Sequence, residues 1–201
     1  MTTTLAQKAL RLIEKHGVLL AKDFMQAGVP TVILSRMVKR GDIIRVDRGM
    51  YTVPNPKNVS ENHDLVQAAK RIPHGVVCLI SALRFHELTT QIPHEVWIAI
   101  DGKARKPKID YPPLSIVRFS GRALTYGVER YELEGVDVPV TSPAKTVADC
   151  FKYRNKIGVD IAIEALRDAL ENRAATPQDI HEAAKACRVV SVILPYLQAR
   201  V

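Results

Sequence analysis

No apolar run in this 201-residue chain approaches the roughly 20 residues that a membrane-spanning helix needs, so no such span is expected. The N-terminal stretch MTTTLAQKALRLIEKHG lacks the apolar core and cleavage site of a secretory signal, because its apolar residues alternate with Lys, Arg and Glu. The cytoplasm is therefore the expected address. Cysteine is scarce: Cys78, Cys150 and Cys187 are odd in number, far apart and set in apolar surroundings. They read as reduced core thiols, not as a disulfide framework or a CxxC zinc pair. The histidines at 16, 63, 74, 86, 94 and 181 show neither HExxH nor paired Cys/His spacing, so no metal is expected. The glycines are scattered, which leaves no glycine-rich phosphate loop, and no internal repeat or low-complexity tract is present. No cofactor and no catalytic residue are expected.

What is present is an ordinary globular balance, 47% hydrophobic and 25% charged, with an uneven charge distribution. The formal net charge is +8, and residues 1–58 hold ten Lys/Arg against four Asp/Glu, whereas residues 59–201 hold nineteen against seventeen. A positive excess concentrated at one end favours a polyanionic partner through counterion release.

Leu5, Ala9, Leu12, Ile13 and His16 fall at helical spacing, predicting a helix over about 4–15, capped by Thr3 or Thr4 and stopped at Gly17. A short helix over Ala21–Ala27 follows, with Phe24 and Met25 as core contacts, and Gly28 breaks it. A third spans Thr31–Arg40, with Pro30 tolerated at its first turn. Leu34, Met37 and Val38 form its inward stripe; Thr31, Ser35, Arg36, Lys39 and Arg40 lie opposite. Asp42–Val46 and Met50–Pro54 then flank Asp47-Arg48-Gly49 as a hairpin. Three short helices and a basic hairpin make a winged helix-turn-helix, whose third helix enters the major groove of double-stranded DNA. Arg36 can reach a guanine edge bidentately, Ser35 and Thr31 can reach bases or phosphates, and Lys39, Arg40, Arg45 and Arg48 suit phosphates or the minor groove.

Residues 54–60 read as a linker between a domain at 1–56 and a larger mixed α+β domain at 57–201 ending in helices. The second part reads as a helix over 61–71, an apolar segment 76–80, a helix over Ser81–Leu88, strands at 96–100 and 114–119, and a hairpin of 128–133 with 136–140 near Gly135. Helices at 143–153, 159–171, 177–187 and 190–199 follow. Ser142 and Thr176, each followed by Pro, are cap signals for two of these. Ser81, His86 and Glu87 fall in one helix without triad alignment, and His86 reads as a hydrogen-bonded structural residue. Asp101-Gly102-Lys103 offers an acid and a lysine two apart after a strand, as in Mg²⁺-dependent nucleases, but reads better as the start of a surface loop. That loop carries a second basic cluster, Lys103, Arg105, Lys106 and Lys108. Lys145, Lys152, Arg154 and Lys156 read as a solvated face.

The stretch LSRMVKRGDIIRVDRGMYTVP resembles the N-terminal domain of AbiE-type antitoxins, the regulators of type IV toxin–antitoxin systems in abortive infection. SALRFHEL (81–88), EVWIAI (95–100) and VPVTSPAKTVADCF (138–151) resemble landmarks of that family's C-terminal domain. The resemblance implies a transcriptional repressor, not an enzyme, that acts on its own operon at inverted repeats and counteracts a nucleotidyltransferase-like toxin. One winged helix covers a half-site, so two copies per operator are expected. The residues alone leave two alternatives, a nuclease using Asp101 and Lys103, and a module whose helix-turn-helix grips a protein.

Overall fold

The computed structural model describes residues 4–54, 61–109 and 111–199. Contacts divide the chain into two compact units, Met1–Arg71 with Glu132–Asp137, and Ile72–Tyr131 with Val138–Val201. The expected boundary after residue 56, and the linker around it from 55 to 60, lie outside the described residues.

The first unit runs α1 (Leu5–His16), β1 (Val18–Leu20), α2 (Ala21–Gln26), α3 (Thr31–Arg40), β2 (Ile44–Asp47), β3 (Met50–Thr52) and α4 (His63–Arg71). Thr4 starts α1 with a capping box: its hydroxyl oxygen accepts from the Gln7 N–H at 3.2 Å, and Gln7 Oε1 accepts from the Thr4 N–H at 3.0 Å. Ala9 and Ile13 of α1, Phe24 of α2, and Leu34 and Met37 of α3 bury together with Ile43 and Tyr51, so the three helices and the hairpin share one core. Val38 is partly buried against it. Met25 is 55% exposed, contrary to expectation. On the six-residue α2 only Phe24 is fully buried. Pro30 is the residue before α3, in extended backbone, and not part of its first turn.

The strands form an antiparallel sheet in the order β1-β3-β2, pairing Val18 with Thr52 and Arg45 with Tyr51. β1 was not expected. Three residues between two helices carry no periodicity, and their pairing is dictated by a strand on the far side of α2 and α3. Gly41 ends α3 at φ 77°, its N–H donating to the Met37 and Val38 carbonyls. A Cβ there would meet nothing within 4 Å. Gly41→Ala is thus expected to lose about 1 kcal/mol through backbone strain alone. Urea denaturation measures it, and Gly41→Asn should recover part of the loss.

The chain after Arg71 runs β4 (Val76–Val77), α5 (Leu79–Phe85), β5 (Val96–Asp101), β6 (Leu114–Phe119), α6 (Arg122–Thr125), β7 (Val128–Leu133), β8 (Val136–Thr141), α7 (Pro143–Lys152), α8 (Arg154–Ile157), α9 (Val159–Glu171), α10 (Pro177–Cys187) and α11 (Val190–Ala199), all in the second unit except the β7–β8 tip at Glu132–Asp137. Its sheet has the order β6-β5-β4-β8-β7, with β5–β6 and β4–β8 parallel and β4–β5 antiparallel. The whole is a mixed α+β chain, as the sequence implied. Glu134 and Gly135, both at positive φ, make the two-residue turn of the β7–β8 hairpin. The Ser142 hydroxyl oxygen accepts from the Lys145 N–H, and the Thr176 hydroxyl oxygen accepts from the Asp179 N–H, starting α7 and α10 where the Ser-Pro and Thr-Pro pairs predicted.

Two expectations fail here. α5 begins at Leu79 and ends at Phe85, so His86 and Glu87 lie outside it and Ser81, His86 and Glu87 do not share a helix. The helix expected over 143–153 is α7, Pro143–Lys152, and the short α8 follows it. Lys145 is not on a solvated face. Every residue from Lys145 to Phe151 is buried, because α7 is enclosed on all sides, and Lys145 Nζ lies 2.5 Å from Asp149 Oδ2.

His86 Nε2 donates to the Thr141 carbonyl at 2.7 Å, the structural role its sequence context suggested. Burial lowers its pKa below the ordinary 6.5, against the pull of that hydrogen bond. The unfolded chain therefore binds this proton first. The contribution is complete above the ordinary histidine value and is lost as pH falls through the folded value. The urea midpoint of the wild type is expected to fall between about pH 7.5 and 5.5 more steeply than that of His86→Gln, which does not titrate.

Candidate nucleic-acid interface

On α3 the inward residues Leu34 and Met37 are fully buried, so the rest of the helix surface is fixed by the 3.6-residue repeat. Thr31, Val32, Ser35, Arg36, Lys39 and Arg40 are all exposed on it. The Ser35 hydroxyl donates to the Thr31 carbonyl at 3.2 Å, and Arg40 Nη2 meets Asp42 Oδ2 at 2.9 Å. That ion pair is solvent-exposed and weak, so Arg40 can exchange it for another anion. Val32, at 54% exposure, escaped the sequence reading. The signal was a β-branched apolar residue in the polar row between Thr31 and Arg36, where neither core packing nor helix propensity calls for it.

Arg45 and Arg48 are exposed on the hairpin, Arg45 on β2 and Arg48 in the turn before β3. Arg45 Nε donates to the Asp47 carbonyl at 3.2 Å. The turn is anchored through Asp47, whose carboxylate accepts from the Arg48 backbone N–H and from Arg71 Nη1. The Arg48 N–H first, and then the Arg71 guanidinium, hold the Asp47 carboxyl below its usual range. Arg71 Nη2 also reaches Met50 Sδ at 3.5 Å. The acid in this turn is therefore engaged by α4. Among the described residues Arg36, Lys39, Arg45 and Arg48 make no ion pair with a carboxylate.

The second basic cluster lies apart, in the second unit. Lys103, Arg105, Lys106 and Lys108 are exposed in the segment after β5. Asp101 ends that strand, and its Oδ1 accepts from the Lys103 N–H at 2.8 Å, the turn that Gly102 suggested. Arg118 Nη1 donates to the carbonyls of Asp101, Gly102 and Ala104, which fastens the start of the loop. Glu95, just before β5, accepts from the Ser115 hydroxyl at 2.5 Å. Among the described residues no cluster of three His, Cys, Asp or Glu side chains is arranged to hold a metal. No helix among them is long and apolar enough to cross a membrane.

Residues 7–54 match the family model described as transcriptional regulator, AbiEi antitoxin. That match spans α1 to the end of the hairpin, the segment that carries the exposed cations. No curated protein matches the chain. Among solved structures, the crystal structure of the RV2827C protein from Mycobacterium tuberculosis is similar over 100% of this chain and 83% of that one, with a TM-score of 0.53 and 14% identity. At that identity the likeness concerns the fold.

Proposed function

We propose, starting from an N-terminal segment of the AbiEi antitoxin regulator type, that the chain is a transcriptional repressor that binds double-stranded DNA. One observation supports this above the rest. α3 buries one side completely and leaves Thr31, Ser35, Arg36, Lys39 and Arg40 on the other, beside a hairpin bearing Arg45 and Arg48. In this reading α3 enters the major groove. Arg36 makes the bidentate contact to guanine, Thr31 and Ser35 reach neighbouring edges or phosphates, and Val32 packs on a thymine methyl. Lys39, Arg40, Arg45 and Arg48 hold phosphates or, from the hairpin, the adjacent minor groove. The repressor occupies inverted repeats upstream of its own operon with two copies, one per half-site. The domain from about residue 57 onward carries the antitoxin role against a nucleotidyltransferase-like toxin. Its basic segment Lys103, Arg105, Lys106 and Lys108 serves as a secondary contact surface.

The test is a fluorescence-anisotropy titration with the duplex upstream of the operon across a salt series. Affinity should fall linearly on a log–log plot, and Arg45→Ala or Arg48→Ala should each reduce that slope by about one, equally on all duplexes. A flat response to DNA at low salt would instead favour a protein-binding module. Co-expression with a neighbouring nucleotidyltransferase-like gene tests the antitoxin role, since the full chain should restore growth.

A further inference from the structure

The second unit holds a cationic pocket that DNA recognition by α3 does not use. Three cations reach it from three separate elements: Arg122 opens α6, Lys152 closes α7, and Arg188 follows α10. With Ser120 and Gly121 they line a pocket of about 180 Å³, and Ala186 forms part of its wall. All three cations are exposed, and among the described residues none is paired with a carboxylate. Glu182, whose charge Arg122 feels, is engaged elsewhere. Its Oε1 accepts from Lys185 Nζ at 2.8 Å and from Gln178 Nε2 at 3.2 Å.

Two of the cations carry further structural features. The Arg122 guanidinium lies over the Tyr126 ring, its Cζ 5.3 Å from the ring centre, a cation–π contact. Arg188 sits in left-handed backbone at φ 59°, ψ 47°, its N–H donating to the Ala184 and Lys185 carbonyls to end α10. Glycine adopts that conformation without strain and is the usual residue there. An arginine stands there despite the strain, and it lines the pocket. Helix-end cations also offset the helix dipole, so Lys152 and Arg188 have a structural reading that a test must separate from ligand binding.

We propose that this pocket binds the phosphate group of a small phosphomonoester. Three like charges around one pocket, none in an ion pair among the described residues, repel one another, and one dianionic oxyanion offsets all three at once. Two guanidinium forks match the tetrahedral oxygens, the Ser120 hydroxyl adds a donor, and Gly121 leaves the approach open, since a Cβ there would meet nothing within 4 Å. The volume suits a phosphate with a small substituent and not a packed macromolecular surface.

The experiment compares the melting temperature of the full chain in inorganic phosphate and in chloride at equal ionic strength, then in millimolar glycerol 3-phosphate and in glycerol. Phosphate and glycerol 3-phosphate should raise Tm saturably, while chloride and glycerol should not. Arg188→Gly should keep or raise the basal Tm, since it relieves strain, yet bind phosphate at least about tenfold more weakly. Arg122→Gln should weaken phosphate to a similar extent. A phosphate response no larger than that of chloride overturns the proposal, as does an unchanged response in Arg188→Gly. Variants that respond normally to phosphate but lose affinity for duplex DNA would overturn it too, by making the pocket a backbone contact.

Discussion

Lys145→Met is expected to destabilise the second unit by about 3–5 kcal/mol at neutral pH, a large part of the roughly 5–15 kcal/mol by which a domain is stable. Lys145 and Asp149 are both fully buried on α7, with Nζ and Oδ2 2.5 Å apart. Asp149 Oδ1 accepts a weaker bond from Cys187 Sγ at 3.2 Å, and Lys145 Nζ lies 4.5 Å from the centre of the Phe119 ring. Removing the ammonium leaves a buried carboxylate bonded only to a thiol, with the exposed Lys152 the one weak positive influence left to offset its lost hydration. Replacing both charges, as in Lys145→Met with Asp149→Leu, should restore most of the loss, because it removes the desolvation cost together with the attraction. Burial already raises the Asp149 pKa, and Lys145 is the first influence opposing it. Without that lysine the folded pKa rises further above the unfolded value. Protonation then favours the folded state, so the deficit of Lys145→Met should shrink as pH falls from 7 toward 5. Urea denaturation of the two variants at both pH values measures this; a loss below about 1 kcal/mol would mean that the pair is not enclosed as described.

The second large effect concerns recognition. Arg36→Ala is expected to cost roughly 1–3 kcal/mol on the best-bound duplex and to relax preference at one base position. On random duplex the cost should be small, since there Arg36 reads no guanine. Lys39→Ala should do the reverse, weakening every duplex to a similar degree. The contrast separates a residue that reads base edges from one that supplies charge. Competition binding against a panel of single-base variants resolves it. Equal losses on all members would reassign Arg36 to the backbone.

Much of the first unit was legible because its signals are local. Gly17, Gly28 and Gly41 punctuate three short helices, and the spacing of Leu34 and Met37 alone decides which way Arg36 and Lys39 point. The same holds for α9, α10 and α11, whose expected spans of 159–171, 177–187 and 190–199 are the observed ones. β1 was illegible, since three residues become a strand only when β3 lies alongside. Met25 was misplaced for want of knowing how many α2 positions face the core. Lys145 misled for a different reason. A helix enclosed on all sides has no polar face, so a charge within it looks like a surface charge until its neighbours are known. The cationic pocket was hidden too, because Arg122, Lys152 and Arg188 are far apart in the chain and meet only through the packing of α6, α7 and α10. Val32 was visible, yet an apolar side chain draws no notice when polar contacts are sought.

The most direct measurement is the affinity of the triple variant Arg36→Ala/Arg45→Ala/Arg48→Ala for a duplex selected by the wild type from a random pool, at about 150 mM salt. These side chains are exposed, so circular dichroism should show the fold intact. Specific binding should then fall to the level of non-specific DNA, a loss on the order of a thousandfold or more. Wild-type affinity for the selected duplex in a folded triple variant would contradict the account, because the chain would then read DNA with some other surface.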